Sequence, residues 1–264
     1  MKKANKNAGY FNNGIPYNRL GRGPRILVIF QGLLFENKPL SGMLAASYAT
    51  YYQYLEEDYT TYIALRKPEL PVGYTLKDMA DDYAVMIQEE FGGPVDILGV
   101  STGGSIALYF AANHPELVRN LIIHSSAYTL SDSSKNIMLR VAALARQRKW
   151  MAAYAEMVSI TRYSKPVIWI GSFLAGLFAA PKDPSDLVVT IEAEDKLNFK
   201  DRLCEITAPT LVVAGDQDPY YSPALFRETA EGIPHARLIL YEGKGHPAGG
   251  KQFGEDVLAF LREG

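Results

Sequence analysis

The chain has 264 residues, 48% of them hydrophobic, which is enough to bury the core of one α/β domain carrying an insertion. Its 27 basic and 29 acidic residues leave a net charge of -2, a balance that argues against nucleic acid and anionic membrane as partners. A single cysteine, Cys204, excludes intramolecular disulfides and a Cys-rich metal site, and is expected to be a small buried residue.

The first residues, Met1-Lys2-Lys3-Ala4-Asn5-Lys6-Asn7, are basic but run into polar sequence rather than the apolar block of a secretory signal, so a cytoplasmic location is expected. Residues 9 to 24 read as two short strands joined at Asn12-Asn13-Gly14, a spelling that tolerates the positive φ of a tight hairpin. Arg25-Ile26-Leu27-Val28-Ile29-Phe30 is a continuous apolar run, as in a strand covered on both faces, and it leads into Gln31-Gly32-Leu33. Helical spacing follows over residues 41 to 57 (Leu44, Tyr48, Tyr51, Tyr52, Leu55), then a short strand from Thr60 to Leu65 and a loop over 68 to 73. Thr75-Leu76-Lys77-Asp78 spells a capping box, and Met79, Tyr83, Met86 and Ile87 share one face of the helix it opens.

The next unit organises the chain. The apolar run Val95-Asp96-Ile97-Leu98 ends in Gly99-Val100-Ser101-Thr102-Gly103, and helical spacing resumes at once at Ile106, Leu108, Tyr109 and Phe110. This is strand, sharp turn, helix, with a serine at the tip. Side chains at Gly99 and Gly103 would collide with the flanking strand and helix. The turn presents the hydroxyl at a helix N-terminus, where free N–H groups favour developing negative charge, so Ser101 is built as a nucleophile. The following strand spans Leu117 to Ser125.

Strands and helices have alternated to this point, which predicts a parallel sheet with right-handed crossovers and ligands at the carboxyl ends of its strands. From Tyr128 to Asp201 the alternation breaks. One helix is predicted from Asn136 to Met157, and Pro166 to Pro181 encloses a 14-residue uncharged apolar stretch, short of the roughly 20 residues that span a bilayer. It is read as a cap helix whose Trp169, Phe173 and Leu177 line an apolar pocket. The same stretch would serve equally as core packing or a dimer interface, so a monomer or homodimer is expected. Alternation returns with a buried strand at Pro209-Thr210-Leu211-Val212-Val213-Ala214-Gly215, which ends in Asp216-Gln217-Asp218-Pro219. A helix, a strand over 237 to 241, Gly243-Lys244-Gly245-His246-Pro247 and a last amphipathic helix complete the chain.

With the nucleophile turn and the acid and histidine segments in this order, the chain resembles the α/β-hydrolase family over most of residues 9 to 130 and 201 to 264. The resemblance implies a mostly parallel sheet flanked by helices, with residues 1 to 127 and 201 to 264 as the core and 128 to 200 as an inserted helical cap. It implies a triad of Ser101, Asp218 and His246, in the family's order of serine, acid and histidine. The family's Gly-Asp-x-Asp turn assigns the acid to Asp218 and a bracing role to Asp216. Relatives form the oxyanion hole from two backbone N–H groups, here those of Leu33 and Thr102. Most carry His-Gly where this chain has Gln31-Gly32, and Gln31 is expected to brace the loop in the histidine's place. His114, His124 and His235 have structural accounts, with His124 the one serious competitor as base.

The expected activity is hydrolysis of a largely apolar carboxylic ester through an acyl-serine, with a small-molecule substrate and no cofactor. The four histidines show no metal-ligand spacing. Serine at 101 argues against the aspartate-dependent dehalogenase and epoxide hydrolase chemistries. Lactone opening, carbon–carbon cleavage and acyl transfer use the same triad, and a small-molecule receptor with a slow triad is the alternative outside enzymes.

Overall fold

The computed structural model describes residues 7–160 and 180–263. Strands β1 (Ala8–Tyr10) and β2 (Pro16–Leu20) form an antiparallel pair in which Gly9 faces Tyr17. The turn between them closes through Phe11 N–H to Ile15 O at 2.9 Å and Gly14 N–H to Phe11 O at 3.0 Å, with Gly14 at φ 91. There follow β3 (Arg25–Phe30), β4 (Tyr59–Ala64), β5 (Val95–Val100), β6 (Val118–His124), β7 (Thr210–Gly215) and β8 (Ala236–Tyr241). The sheet order is β1-β2-β4-β3-β5-β6-β7-β8, with β2 antiparallel to β4 and every later pairing parallel.

The apolar runs account for this order. Leu27, Val28, Ile29 and Phe30 are all fully buried, as are Ile97 and Leu98 beside them, and each such side chain contributes about 1.5–3 kcal/mol by leaving water. One face of the sheet packs α2 (Leu76–Phe91), α3 (Thr102–Asn113) and α7 (Pro223–Gly232). There Tyr83 stacks on Phe30 with centroids 3.9 Å apart. The other face packs α1 (Gly42–Tyr52) and α8 (Lys251–Glu263) around Phe253, Val257 and Phe260. Thr75 and Asp78 make the expected capping box on α2, and Gly92, at φ 69, ends that helix.

Between β6 and β7 lie α4 (Asp132–Arg146), α5 (Trp150–Ser159) and α6 (Ser185–Asp195). They form a separate apolar cluster of Phe35, Met138, Val141, Trp150, Leu187 and Ile191. The single helix predicted from Asn136 to Met157 is two. Arg148 turns left-handed at φ 54, its N–H bonds Ala145 O and the Lys149 N–H bonds Leu144 O. That is a Schellman ending with arginine where glycine is usual. Gln147, Arg148 and Lys149 are all good helix formers, so the break comes from packing α5 against α4 rather than from local preference. The expected burial of Cys204 also fails. It sits exposed on the short 3₁₀ turn Lys200–Glu205, where Leu203 takes the one buried position.

Among the described residues, no helix is long and apolar enough to cross a membrane. The expected pocket residues Trp169, Phe173 and Leu177 lie outside the described residues.

Candidate active site

The chain leaves β3 for β4 on one side, then returns to β5 on the other. A crevice therefore opens between the carboxyl ends of β3 and β5, the place where open α/β sheets bind ligands. Two sharp turns meet there. After β5, Ser101 is held at φ 52 and ψ -125, a region that costs a non-glycine residue on the order of 1–3 kcal/mol. Its N–H bonds His124 O at 2.9 Å, and its carbonyl takes the Gly104 N–H at 2.7 Å. The neighbouring glycines have the predicted steric reason. A Cβ on Gly103 would lie 1.9 Å from Phe30 O, and one on Gly99 would lie 2.6 Å from Gly104 Cα. After β3, Gly32 passes so close that a Cβ there would meet Ser101 Cβ at 3.3 Å.

Around this serine the structure gathers the other expected residues. His246 Nε2 is 2.9 Å from Ser101 Oγ, and His246 Nδ1 is 2.7 Å from Asp218 Oδ2. With Nδ1–H donating to the carboxylate, Nε2 is left to accept from the serine hydroxyl. The Asp218 side chain is fully buried and that of His246 nearly so. The other Asp218 oxygen accepts the Tyr220 and Tyr221 N–H groups at 2.8 and 3.2 Å, which fixes the carboxylate independently of the histidine. Asp216 is turned away and accepts the Gly243 N–H at 2.7 Å, so it braces the turn that leads to His246.

The competitor His124 is occupied elsewhere. Its Nε2–H donates to Ala248 O at 2.5 Å and its ring stacks on Phe253 with centroids 4.2 Å apart. Ala248 N–H in turn donates to Ser125 Oγ at 3.0 Å. The end of β6 thus clamps the loop carrying His246. Burial pushes the His124 imidazole down to about 3, against the Ala248 carbonyl, which favours the charged form. Its ordinary value is near 6.5, so below that pH the unfolded chain takes up a proton that the folded chain refuses. The contribution of His124 to stability is therefore complete above pH 6.5 and is lost by about 1.4 kcal/mol per pH unit as pH falls toward 3. Urea unfolding of the wild type and His124→Phe between pH 7 and 4 checks this. The variant is expected to show a slope shallower by about that amount, and parallel slopes would contradict a buried neutral imidazole.

Leu33 and Thr102 both border the cavity beside Ser101. Among the described residues, neither N–H has a hydrogen-bond partner in the protein. Gln31 departs from expectation. Its amide Nε2–H reaches the Tyr48 hydroxyl on α1 at 2.8 Å and makes no bond to the Gly32-Leu33 backbone. The loop is braced by Arg66 instead, whose Nη1 donates to Gln31 O and Gly32 O at 3.0 and 3.2 Å. The physical reason is direction: the Gln31 side chain leaves the strand end toward the α1 face, where a hydroxyl is available, while Arg66 follows the adjacent strand and is buried under the loop.

The cavity encloses about 310 Å³. Besides the residues above, Val100, Leu130, Met138 and Met157 give it apolar walls, while Tyr48, Tyr51, Tyr220 and Glu194 supply polar atoms. Tyr220 packs against His246 with ring centroids 4.8 Å apart. Burial, with Asp218 and Glu194 nearby, pushes its hydroxyl up to about 12, so it remains a neutral donor. Three residues here escaped the sequence. Tyr48 showed only as one position of a helical spacing, Arg66 carries the weak cue of a cation just past an apolar strand, and Glu194 sits in an acidic run of the kind that ends a solvated helix.

The fold and this arrangement define a class. The profile of the alpha/beta hydrolase family matches residues 17–254, and the chain belongs to that family. Among curated proteins, a chain of Serratia proteamaculans (strain 568) named as a carbamate hydrolase, RutD, is 26% identical over 193 residues, 69% of this chain and 70% of that one. The pimeloyl-[acyl-carrier protein] methyl ester esterase of Neisseria meningitidis serogroup A is 28% identical over 182 residues, 66% of this chain but only 56% of its own length. Among solved structures, the enol-lactonase of Burkholderia xenovorans LB400 superposes with a TM-score of 0.75 at 19% identity, covering 97% of this chain and 99% of that one.

Proposed function

We propose that the protein is a serine-dependent hydrolase of uncharged, largely apolar carboxylic esters. The observation that carries this reading is the unbroken relay from Asp218 through His246 to Ser101, 2.7 and 2.9 Å in its two links, at the edge of an apolar cavity. In the proposed reaction Ser101 Oγ attacks the ester carbonyl while His246 Nε2 takes its proton, and Asp218 stabilises the imidazolium. The N–H groups of Leu33 and Thr102 receive the oxyanion. His246 then protonates the departing alcohol, deprotonates a water that attacks the acyl-serine, and returns the proton to Ser101 as the acid leaves. Residues 128 to 200, with α4, α5 and α6, are the proposed cap over this site.

The ester reading draws on the methyl ester esterase relative, and the apolar walls favour a neutral acyl group. The carbamate hydrolase relative supports a second reading in which a carbamate carbonyl takes the same attack. Both are tested with a fluorophosphonate probe and a panel of p-nitrophenyl esters from acetate to decanoate, with phenyl carbamates alongside. Stoichiometric labelling at Ser101 with faster turnover of medium-chain esters is the expected result. Labelling without turnover of any substrate would indicate a receptor, and no labelling would overturn the serine mechanism.

A further inference from the structure

Glu194 is a carboxylate placed where burial is costly. It is 4% exposed, lies near the end of α6 and borders the cavity. A buried carboxylate costs several kcal/mol unless it is well paired, and this one is paired with the nucleophile turn. Oε2 accepts from Thr102 Oγ1 at 2.8 Å and Oε1 accepts from Ser105 Oγ at 3.0 Å. The sequence Ser101-Thr102-Gly103-Gly104-Ser105 shows why those bonds matter. Two of its residues have no side chain, and both Gly103 and Gly104 must stay that way, since a Cβ on Gly104 would meet Ser126 Cβ at 2.4 Å. Past Ser101 itself, the first turn of α3 therefore has two side-chain handles, and Glu194 grips both.

The helix that carries Glu194 is anchored at its other end too. Asp186, in the first turn of α6, accepts the Glu69 and Leu70 N–H groups at 3.2 and 2.8 Å. So α6 is a strut running from the loop beyond β4 to the nucleophile turn. Burial pushes the Glu194 carboxyl up, and the Thr102 and Ser105 hydrogen bonds, with Arg66 and His246, act against that rise; the N-terminal end of the α3 dipole acts in the same opposing sense.

We infer that Glu194 is a positioning residue for the reaction proposed above, holding Thr102 through its hydroxyl so that the Thr102 N–H stays aimed at the developing oxyanion. The inference rests on that reading of the site, and two changes that each remove one end of the Glu194–Thr102 hydrogen bond test it. Thr102→Val removes the hydroxyl but keeps the N–H, and Glu194→Ala removes the acceptor. Each is expected to lower kcat by about 10- to 100-fold on a p-nitrophenyl ester, with KM within about twofold of wild type. The double variant is expected to be no worse than the poorer single one, because both delete one interaction. Glu194→Gln, which still accepts from one hydroxyl, is expected to recover part of the loss.

Unchanged kcat with a lowered melting temperature would overturn the inference, as would additive losses in the double variant. Amide hydrogen exchange over residues 102 to 105 supplies a readout that needs no turnover, and is expected to quicken in Glu194→Ala. If the wild type neither labels nor turns over esters while exchange still quickens, the hydrolase reading fails and the grip on the turn stands. Unchanged exchange defeats the grip whatever the activity.

Discussion

Ser101→Ala is expected to abolish fluorophosphonate labelling and to lower kcat by about 10⁴-fold or more, with the fold intact. The loss is this large because, among the described residues, no other hydroxyl is placed to take over. Within the relay only Ser101 Oγ stands 2.9 Å from His246 Nε2, and the neighbouring hydroxyls of Thr102 and Ser105 are bound to Glu194. Folding is spared because the change removes one oxygen from a partly exposed residue, while the N–H and carbonyl bonds that shape the turn remain. Alanine at φ 52 carries much the same backbone strain as serine. Labelling by mass spectrometry, steady-state kinetics and a melting curve on the same preparation check the prediction together. A folded Ser101→Ala protein that keeps wild-type turnover would end the covalent mechanism.

Asp218→Asn is expected to lower kcat by about 10⁴-fold, whereas Asp216→Asn is expected to cost less than about tenfold. The two carboxylates lie two residues apart and are equivalent by composition, so the ranking tests geometry alone. At 218 the amide would sit where Oδ2 accepts the His246 Nδ1–H at 2.7 Å. The two N–H groups on Oδ1 would hold the amide oxygen in place and direct its NH₂ at the imidazole. Nδ1 would then have to accept, Nε2 would carry the proton, and the serine would lose its base. At 216 the amide oxygen can still accept the Gly243 N–H, so the expected cost is about 1 kcal/mol or less of stability in that turn. Kinetics of the two variants on one ester, with melting curves to separate folding from chemistry, give the ranking; its reversal would move the acid to Asp216.

Much of this was legible in the sequence because it is local. The apolar runs at 26–30 and 211–214 admit few readings other than strands covered on both faces, and Val95-Asp96-Ile97-Leu98 reads as a third despite its one charge. The glycines around Ser101 were recognisable because a turn that tight leaves no room for Cβ. The order of serine, acid and histidine named three side chains spread over 146 residues, and the parallel strands bring the loops that carry them to one edge of the sheet. Choosing His246 over His124 needed more than periodicity: both lie near carboxyl ends of strands, and what separates them is that His124 spends its Nε2–H on Ala248 and its ring on Phe253.

The sequence by itself determined the strands, the helices of the core and the nucleophile turn, since each depends on side chains and glycines within a few residues of one another; Asp218 and His246 were expected from the family resemblance, not from any local pattern. Only the tertiary structure decided what holds them. Arg66 under the Gly32-Leu33 loop, Gln31 turned to Tyr48, the break at Arg148 and the Glu194 grip on Thr102 and Ser105 join residues that in three of these four cases lie 17 to 92 positions apart. Such polar contacts follow no period. They are fixed by which donors and acceptors are left unpaired once the apolar faces have packed, and a buried group must then find its partner wherever the packed chain has put one.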